Sequence, residues 1–228
     1  MAKAAILFDF DGVVADSEIL SNQVFADVFT RAGFPMTAEE AVERYLGKRF
    51  ADCVPLIEAD YGAAVDPDLD RQWRDGVLAR LETDLNAVPG VARFLDGAAD
   101  RAKAVASSSD PEWLHAMLAR FGLAHHFGDH VYSGAVHVKR GKPYPDLYLH
   151  AADAIGADPA HCLVIEDSPT GVEAGVSAGM RVVALLAGGH GTAAHGERLM
   201  AAGAHARADS YDEVAAHLAA FEEELSAR

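Results

Sequence analysis

Asp9-Phe10-Asp11-Gly12 follows directly on the apolar run Ala4–Phe8. Two carboxylates at the end of a buried run are costly unless something pairs with them. Together they can supply a nucleophile, a neighbouring acid–base group and ligands for a metal ion, and Gly12 permits the tight turn this needs. A lone aspartate here would read more simply as a helix cap; Asp-x-Asp-Gly shifts the reading to chemistry. A second acidic pair, Glu166-Asp167-Ser168, follows the run Cys162–Ile165. It fits either a capped helix start with favourable charge at the helix dipole or part of the same site. In the latter case the two pairs would repel. A hard divalent cation relieves that, and magnesium suits one or two carboxylates together with phosphate and water. Ser107, Ser108 and Ser109 follow the run Lys103–Ala106. They fit a phosphate-binding turn at a helix N-terminus and equally a capping turn. Lys142, in Gly141-Lys142-Pro143, precedes a proline and is held extended. It reads as a point charge for a transferring phosphoryl group or as a solvated lysine.

Other residues are set aside. Gly175-Val176-Ser177-Ala178-Gly179 fits the letters of G-x-S-x-G, but it follows a helical pattern and precedes a strand, the wrong context for a nucleophile elbow. It is expected to be a helix C-terminus. There is no dinucleotide-binding glycine loop and no P-loop. His125-His126, His190 and His195 lack the sequence partners of a zinc site and are expected to be solvated. Cys53 and Cys162 make no disulfide framework and read as small apolar fillers.

The elements that would position these residues alternate. Apolar runs at Lys3–Phe8, Lys103–Ala106, Cys162–Ile165 and Arg181–Leu186, a weaker one at His130–Tyr132, and Ala206–Ala208 as an edge, are separated by helical patterns such as Pro111–Arg120 and Asp146–Ile155. Strands alternating with helices predict a doubly wound, Rossmann-like parallel sheet with both faces covered. One stretch breaks the alternation. From Asp16 to about Leu85 no strand is convincing. Leu20, Val24, Phe25, Val28 and Phe29 share one helical face; Ala41, Val42, Tyr45 and Leu46, then Val54, Ile57 and Tyr61, then Trp73, Val77, Leu78 and Leu81 continue at helical spacing. Residues 16–87 are therefore expected to be an inserted α-helical domain, with 1–15 and 88–228 forming the core and Val88-Pro89-Gly90 marking the return.

The chain has 228 residues, 50% of them hydrophobic and 24% charged, enough to bury a sizeable core. Its 19 Lys and Arg against 35 Asp and Glu give a net charge of −16. That balance argues against nonspecific nucleic-acid binding and against anionic lipid. The run Ala4–Phe8 is too short for a signal-peptide core, and Val182–Gly189 is too short to span a bilayer. A cytoplasmic protein, monomeric or weakly homo-oligomeric, is expected.

Taken in order, the segments at Asp9, Ser107, Lys142 and Glu166-Asp167, with the helical insertion after the first, resemble the haloacid dehalogenase superfamily, in particular its small phosphatases and β-phosphoglucomutases. The resemblance covers nearly the whole chain and implies a role for each position. Asp9 would be the nucleophile that forms a phosphoaspartate. Asp11 would protonate the leaving oxygen and later activate water. Ser107 and Lys142 would hold the phosphoryl oxygens, with Ser108 beside the substrate. Asp9, Asp167 and the main-chain carbonyl of Asp11 would hold Mg2+, with Glu166 close by. The insertion would be a cap that closes over the site, and Glu18, Lys48 and Arg49 are its candidate substrate contacts. Halide-removing members lack a second acid like Asp11. Phosphonate-cleaving members replace it and use a cap lysine, for which Lys48 is conceivable; the presence of Asp11 favours oxygen–phosphorus chemistry. Similar mutases commonly carry a histidine near the position of Ser21, which is absent here. The expected protein is a magnesium-dependent phosphatase of a small phosphorylated metabolite, a sugar phosphate or sugar-acid phosphate. The alternatives are a β-phosphoglucomutase-like isomerase and a non-catalytic binding module.

Overall fold

The structure, a computed structural model, describes residues 3–45, 50–188 and 191–227, and the main chain alone of Glu18 and Glu82. In chain order the elements are β1 (Ala5–Phe8), α1 (Ser17–Arg31), α2 (Ala38–Tyr45), α3 (Phe50–Tyr61), α4 (Asp68–Asp84), α5 (Val91–Gly97), β2 (Lys103–Ser107), α6 (Pro111–Arg120), β3 (Val131–Ser133), α7 (Asp146–Ala154), β4 (Cys162–Glu166), α8 (Pro169–Ser177), β5 (Arg181–Leu185), α9 (Ala193–Ala201), β6 (Ala206–Ala208) and α10 (Tyr211–Ser226). They divide into two compact units, Met1–Ala15 with Ala87–Arg228, and Asp16–Asn86.

The first unit is a doubly wound α/β fold. Its sheet has six strands in the order β3-β2-β1-β4-β5-β6, and every pairing is parallel. Strands buried on both faces need apolar side chains in both directions, which is why they stand out as continuous runs. On one face Leu7, Val164, Val182 and Ala184 pack with Leu147, Tyr148, Ala151 and Val172. On the other, Phe8 meets Phe94 and Phe127 edge-on, with ring centroids 6.1 and 5.4 Å apart. From β1 the chain goes to β2 and β3 on one side, then crosses back to β4, β5 and β6 on the other. The order thus reverses between β1 and β4, where open sheets of this kind form a crevice at the strands' carboxyl ends. The register pairs Phe8 with both Val105 and Ile165, so the residues that follow emerge at one level.

After Asp9 the chain turns at Gly12, whose φ of 74° favours a residue without Cβ. Ala15 then bridges antiparallel to Ala87, and Val88 donates to the Val14 carbonyl at 2.9 Å. Ala87 thus belongs to the sheet unit, one residue earlier than the expected return.

The second unit consists of α1 to α4, with no strand among its described residues. Phe25 stacks on Phe29 at 4.3 Å and meets Trp73 edge-on at 5.4 Å, while Trp73 Nε1 donates to the Ser21 carbonyl at 3.0 Å. One residue of the expected α4 face differs: Leu78 is 65% exposed, whereas Trp73, Val77 and Leu81 are half-buried. A Cβ on Gly76 would lie 2.7 Å from Val24 Cγ1, so the side of α4 that meets α1 runs through half-buried Trp73 and Gly76 and leaves Leu78 to solvent. In α3 the buried pair is Cys53 and Ile57, while Val54 is half-buried and Tyr61 is exposed. Cys53 and Cys162 are both buried and form no disulfide, as fillers should. Among the described residues no helix is long and apolar enough to cross a membrane.

Candidate active site

Asp9 leaves the end of β1, and its N–H donates to the Ile165 carbonyl of β4 at 3.0 Å. That bond fixes the first acid against the strand that ends in the second pair. Carboxylate oxygens of Asp9, Glu166 and Asp167 lie within 4.8 Å of one another, all three residues buried. Lys142 joins them from the loop between β3 and α7, its Nζ 2.6 Å from Asp9 and 2.6 Å from Glu166, with its side chain 5% exposed. Its peptide bond to Pro143 is cis. The lysine is therefore not the solvated one that its isolation in sequence allowed.

Electrostatics explains the grouping. Burial works against the Lys142 charge, but Asp9 and Glu166 outweigh it and hold the ammonium well above the ordinary lysine range. Burial pushes the Asp9 carboxyl well above its usual range; Lys142 pulls it back, and Glu166 and Asp167 push it up again. Three buried acids against one lysine leave an excess of negative charge among oxygen donors. The donor set therefore fits a hard divalent cation.

Glu166 is fully buried and bonded at both oxygens. Oε1 accepts from Lys142 and from the Tyr148 hydroxyl at 2.9 Å; Oε2 accepts from the N–H groups of Asp167 and Ser168 at 2.9 Å each and from Ser168 Oγ at 3.0 Å. Glu166 thus ties Lys142 to the turn that presents Asp167. Ser168 also caps α8, accepting from Gly171 N at 3.1 Å.

The Asp11 side chain, half-buried, accepts from Ser109 Oγ at 2.5 Å. Ser107 ends β2, and its buried Oγ accepts from Ser109 N at 3.1 Å. Ser108 is exposed. Ser133 at the end of β3 is fully buried and donates to the Ser109 carbonyl at 2.7 Å, bracing the same turn. Lys48 and Arg49 lie outside the described residues, as does the Glu18 side chain. Gly175–Gly179 is a helix end: α8 stops at Ser177, and Gly179 takes φ 75°.

Several residues of this neighbourhood do not stand out in the sequence. Tyr148 reads as core, yet it hydrogen-bonds Glu166, and Lys142 Nζ sits 4.9 Å from its ring centroid. Gly171 lies in the first turn of α8, where a Cβ would come within 1.6 Å of Glu166 Oε1. A glycine inside a helix costs stability, and that cost was the available signal. Ser109 stands in the sequence only as part of the serine run.

Two expectations about histidines are corrected. His126 is not solvated: its side chain is 7% exposed, and Asp96 lies 3.4 Å from Nε2. His125 packs against it, the rings tilted by 37° with centroids 3.9 Å apart. His195 is buried as well, its Nε2 2.6 Å from the Asp167 carbonyl.

The family model of haloacid dehalogenase-like hydrolases matches residues 3–179, and the chain belongs to that family. Its fold is that of a haloacid dehalogenase family hydrolase from Deinococcus radiodurans R1 solved with bound phosphate and sodium, at a TM-score of 0.84 and 33% identity over 96% of this chain and 96% of that one. The chain is 26% identical over 187 residues to 6-phosphogluconate phosphatase of Escherichia coli (strain K12), covering 82% of this chain and 84% of that protein. It is 30% identical over 181 residues to fructose-1-phosphate phosphatase of the same organism, covering 79% and 95%.

Proposed function

We propose that the protein is a magnesium-dependent phosphatase that hydrolyses a small phosphorylated metabolite, a sugar phosphate or sugar-acid phosphate, through a phosphoaspartate on Asp9. The observation that carries the reading is the convergence of Asp9, Lys142, Glu166 and Asp167 at the switch point between β1 and β4. The two sugar-phosphate phosphatases among its relatives favour the substrate class. Asp9, Asp167 and the main-chain carbonyl of Asp11 would hold the magnesium ion. Glu166, with five donors on its carboxylate, would act through Lys142 and the turn. Bound there, the ion would supply positive charge against the phosphoryl oxygens and the acids around it.

The chain's own residues account for the two displacements. A carboxylate attacking a phosphate monoester meets repulsion, and Lys142, held charged between Asp9 and Glu166, offsets it. An Asp9 oxygen bonds to phosphorus as the bond to the leaving oxygen breaks. Asp11, steadied by Ser109, gives that oxygen its proton and the alcohol leaves. Asp11, now ionised, takes a proton from a water that attacks phosphorus; the Asp9–phosphorus bond breaks and inorganic phosphate is released. Covalent capture thus divides one difficult displacement into two. Ser107 and Ser108 would meet the phosphoryl oxygens, and Glu18, Lys48 and Arg49 in the inserted unit are the candidates for choosing the substrate. The reading includes a cytoplasmic protein that works as a monomer or weak homo-oligomer.

The test is a phosphate-release screen over sugar phosphates, sugar-acid phosphates, phosphoglycolate and nucleotides, with magnesium and with excess chelator. We expect release from at least one sugar or sugar-acid phosphate, abolished by chelator. A folded protein that releases phosphate from none of them, or one fully active in chelator, refutes the corresponding part of the reading. Interconversion of glucose phosphates without phosphate release would identify a mutase instead.

A further inference from the structure

We infer that His195 is a positioning residue for Asp167, a role that rests on the metal reading given above. The histidine lies beyond the matched residues 3–179, in the first turn of α9. There Thr192 Oγ1 accepts its N–H at 3.1 Å and fixes where the side chain starts. Its ring is buried and spans two partners. Nε2 lies 2.6 Å from the Asp167 carbonyl oxygen, and Nδ1 lies 3.1 Å from Arg198 Nη2. A carbonyl only accepts and a guanidinium only donates. The proton is therefore on Nε2 and the lone pair on Nδ1. The ring is a neutral donor to Asp167, its tautomer set by Arg198.

That bond completes the restraint of the Asp167 main chain. On one side, Glu166 Oε2 accepts the N–H groups of both Asp167 and Ser168 at 2.9 Å. On the other, His195 holds the carbonyl. With the peptide groups on either side of its Cα fixed, the Asp167 carboxylate has only its own side-chain torsions left, and it is presented toward Asp9 within the acidic group. Outer partners of this kind typically change metal affinity 10–100-fold when removed.

The test measures Mn2+ binding to the full chain by electron paramagnetic resonance, alongside the magnesium concentration that gives half-maximal activity. His195→Leu removes the donor and is expected to raise both constants roughly tenfold or more, with kcat at saturating metal within about threefold of wild type. His195→Asn, polar but too short to reach, is expected to do the same and carries the test should the leucine variant not fold. His195→Gln, whose amide N–H can reach the carbonyl, is expected to restore both constants to within about threefold. Folded Leu and Asn variants with wild-type Mn2+ affinity overturn the role. So does a Gln variant as weak as the Leu variant, which would make the ring mere packing. A wild type that binds no Mn2+ overturns the metal reading itself, an outcome distinct from a wild type that binds it and variants that do so equally well.

Discussion

Asp9→Asn and Lys142→Met should move stability in opposite directions although their side chains touch. In metal-free protein Asp9 is buried beside two other carboxylates, and its carboxyl is pushed well above the ordinary value of 3.8 mainly by that burial. Its charge is unfavourable there. Changing it to Asn leaves Lys142 still paired with Glu166 at 2.6 Å, so no cation is orphaned. A gain of about 1 kcal/mol is expected, in line with the stability that active sites give up for function. For a chain of this size that is roughly 2–4 °C in Tm. The pH dependence follows from the raised pKa. The wild-type group contributes stability that is complete below its ordinary value and is lost as pH rises through the raised one. The two proteins should therefore melt alike in acid, and the Asn variant should pull ahead toward neutral pH. Lys142→Met instead strands Asp9 and Glu166 without their cation. Removing one partner of a buried ion pair costs about 3–5 kcal/mol, or roughly 6–20 °C. Both variants should lose activity, the Asn variant by at least about 10⁴-fold, as expected for a missing nucleophile. Calorimetry in excess chelator across pH, paired with phosphate release in magnesium, decides. An Asn variant that melts clearly below wild type at neutral pH, or turns over within tenfold of it, refutes the reasoning.

Gly171→Ala puts a Cβ 1.6 Å from Glu166 Oε1. The carboxylate must move, taking Lys142 with it, and a shift on that scale should lower kcat about 100-fold, read from steady-state kinetics on a folded variant. Excess chelator should silence the wild type by at least about 100-fold, the effect of several kcal/mol of lost charge stabilisation, and added magnesium should restore it in the same phosphate-release assay. Away from the site, Arg101 donates to both oxygens of Glu222 at 2.7 and 2.8 Å and holds its carboxyl below the ordinary 4.5. Glu222→Gln should cost about 2 kcal/mol, or roughly 4–8 °C. A depressed pKa gives stability that is present above the ordinary value and lost as pH falls through the depressed one, so calorimetry should show the gap closing in acid.

The fold was legible because its strands are buried on both faces. β1, β2, β4 and β5 need apolar side chains whichever way they point, and they write short runs with turns after them. Acids at their ends were legible for the complementary reason: charge at the mouth of a buried strand requires a partner, so Asp9 and Asp167 announce one. Lys142 is different. It reaches Asp9 across 133 residues from a loop with no period, and a lone lysine reads like any other until the loop is folded. Leu78 of α4 departs from its expected face for another cause. Periodicity weighs side chains by hydrophobicity, whereas half-buried Gly76 faces Val24 because it is small enough to let α1 approach, and Leu78 is left outward.

His195 marks where reading by side-chain type runs out. In sequence a histidine is read by the zinc-site partners near it, and His195 lacks them. The contact that ties it to the site is to the main-chain carbonyl of Asp167, 28 residues away, and a carbonyl is present at every residue and distinguishes none. The same holds for the Tyr211 hydroxyl, which donates to the Val13 carbonyl at 2.8 Å in the turn after Asp9. Both lie past residue 179, the end of the family match. The segment after residue 179 thus fixes the backbone at both acidic turns. Main-chain groups that must be satisfied when buried are met here by side chains from α9 and α10. Where an acid of the candidate site stands is written in its own segment; how firmly its peptide is held depends on residues whose sequence carries no trace of the task.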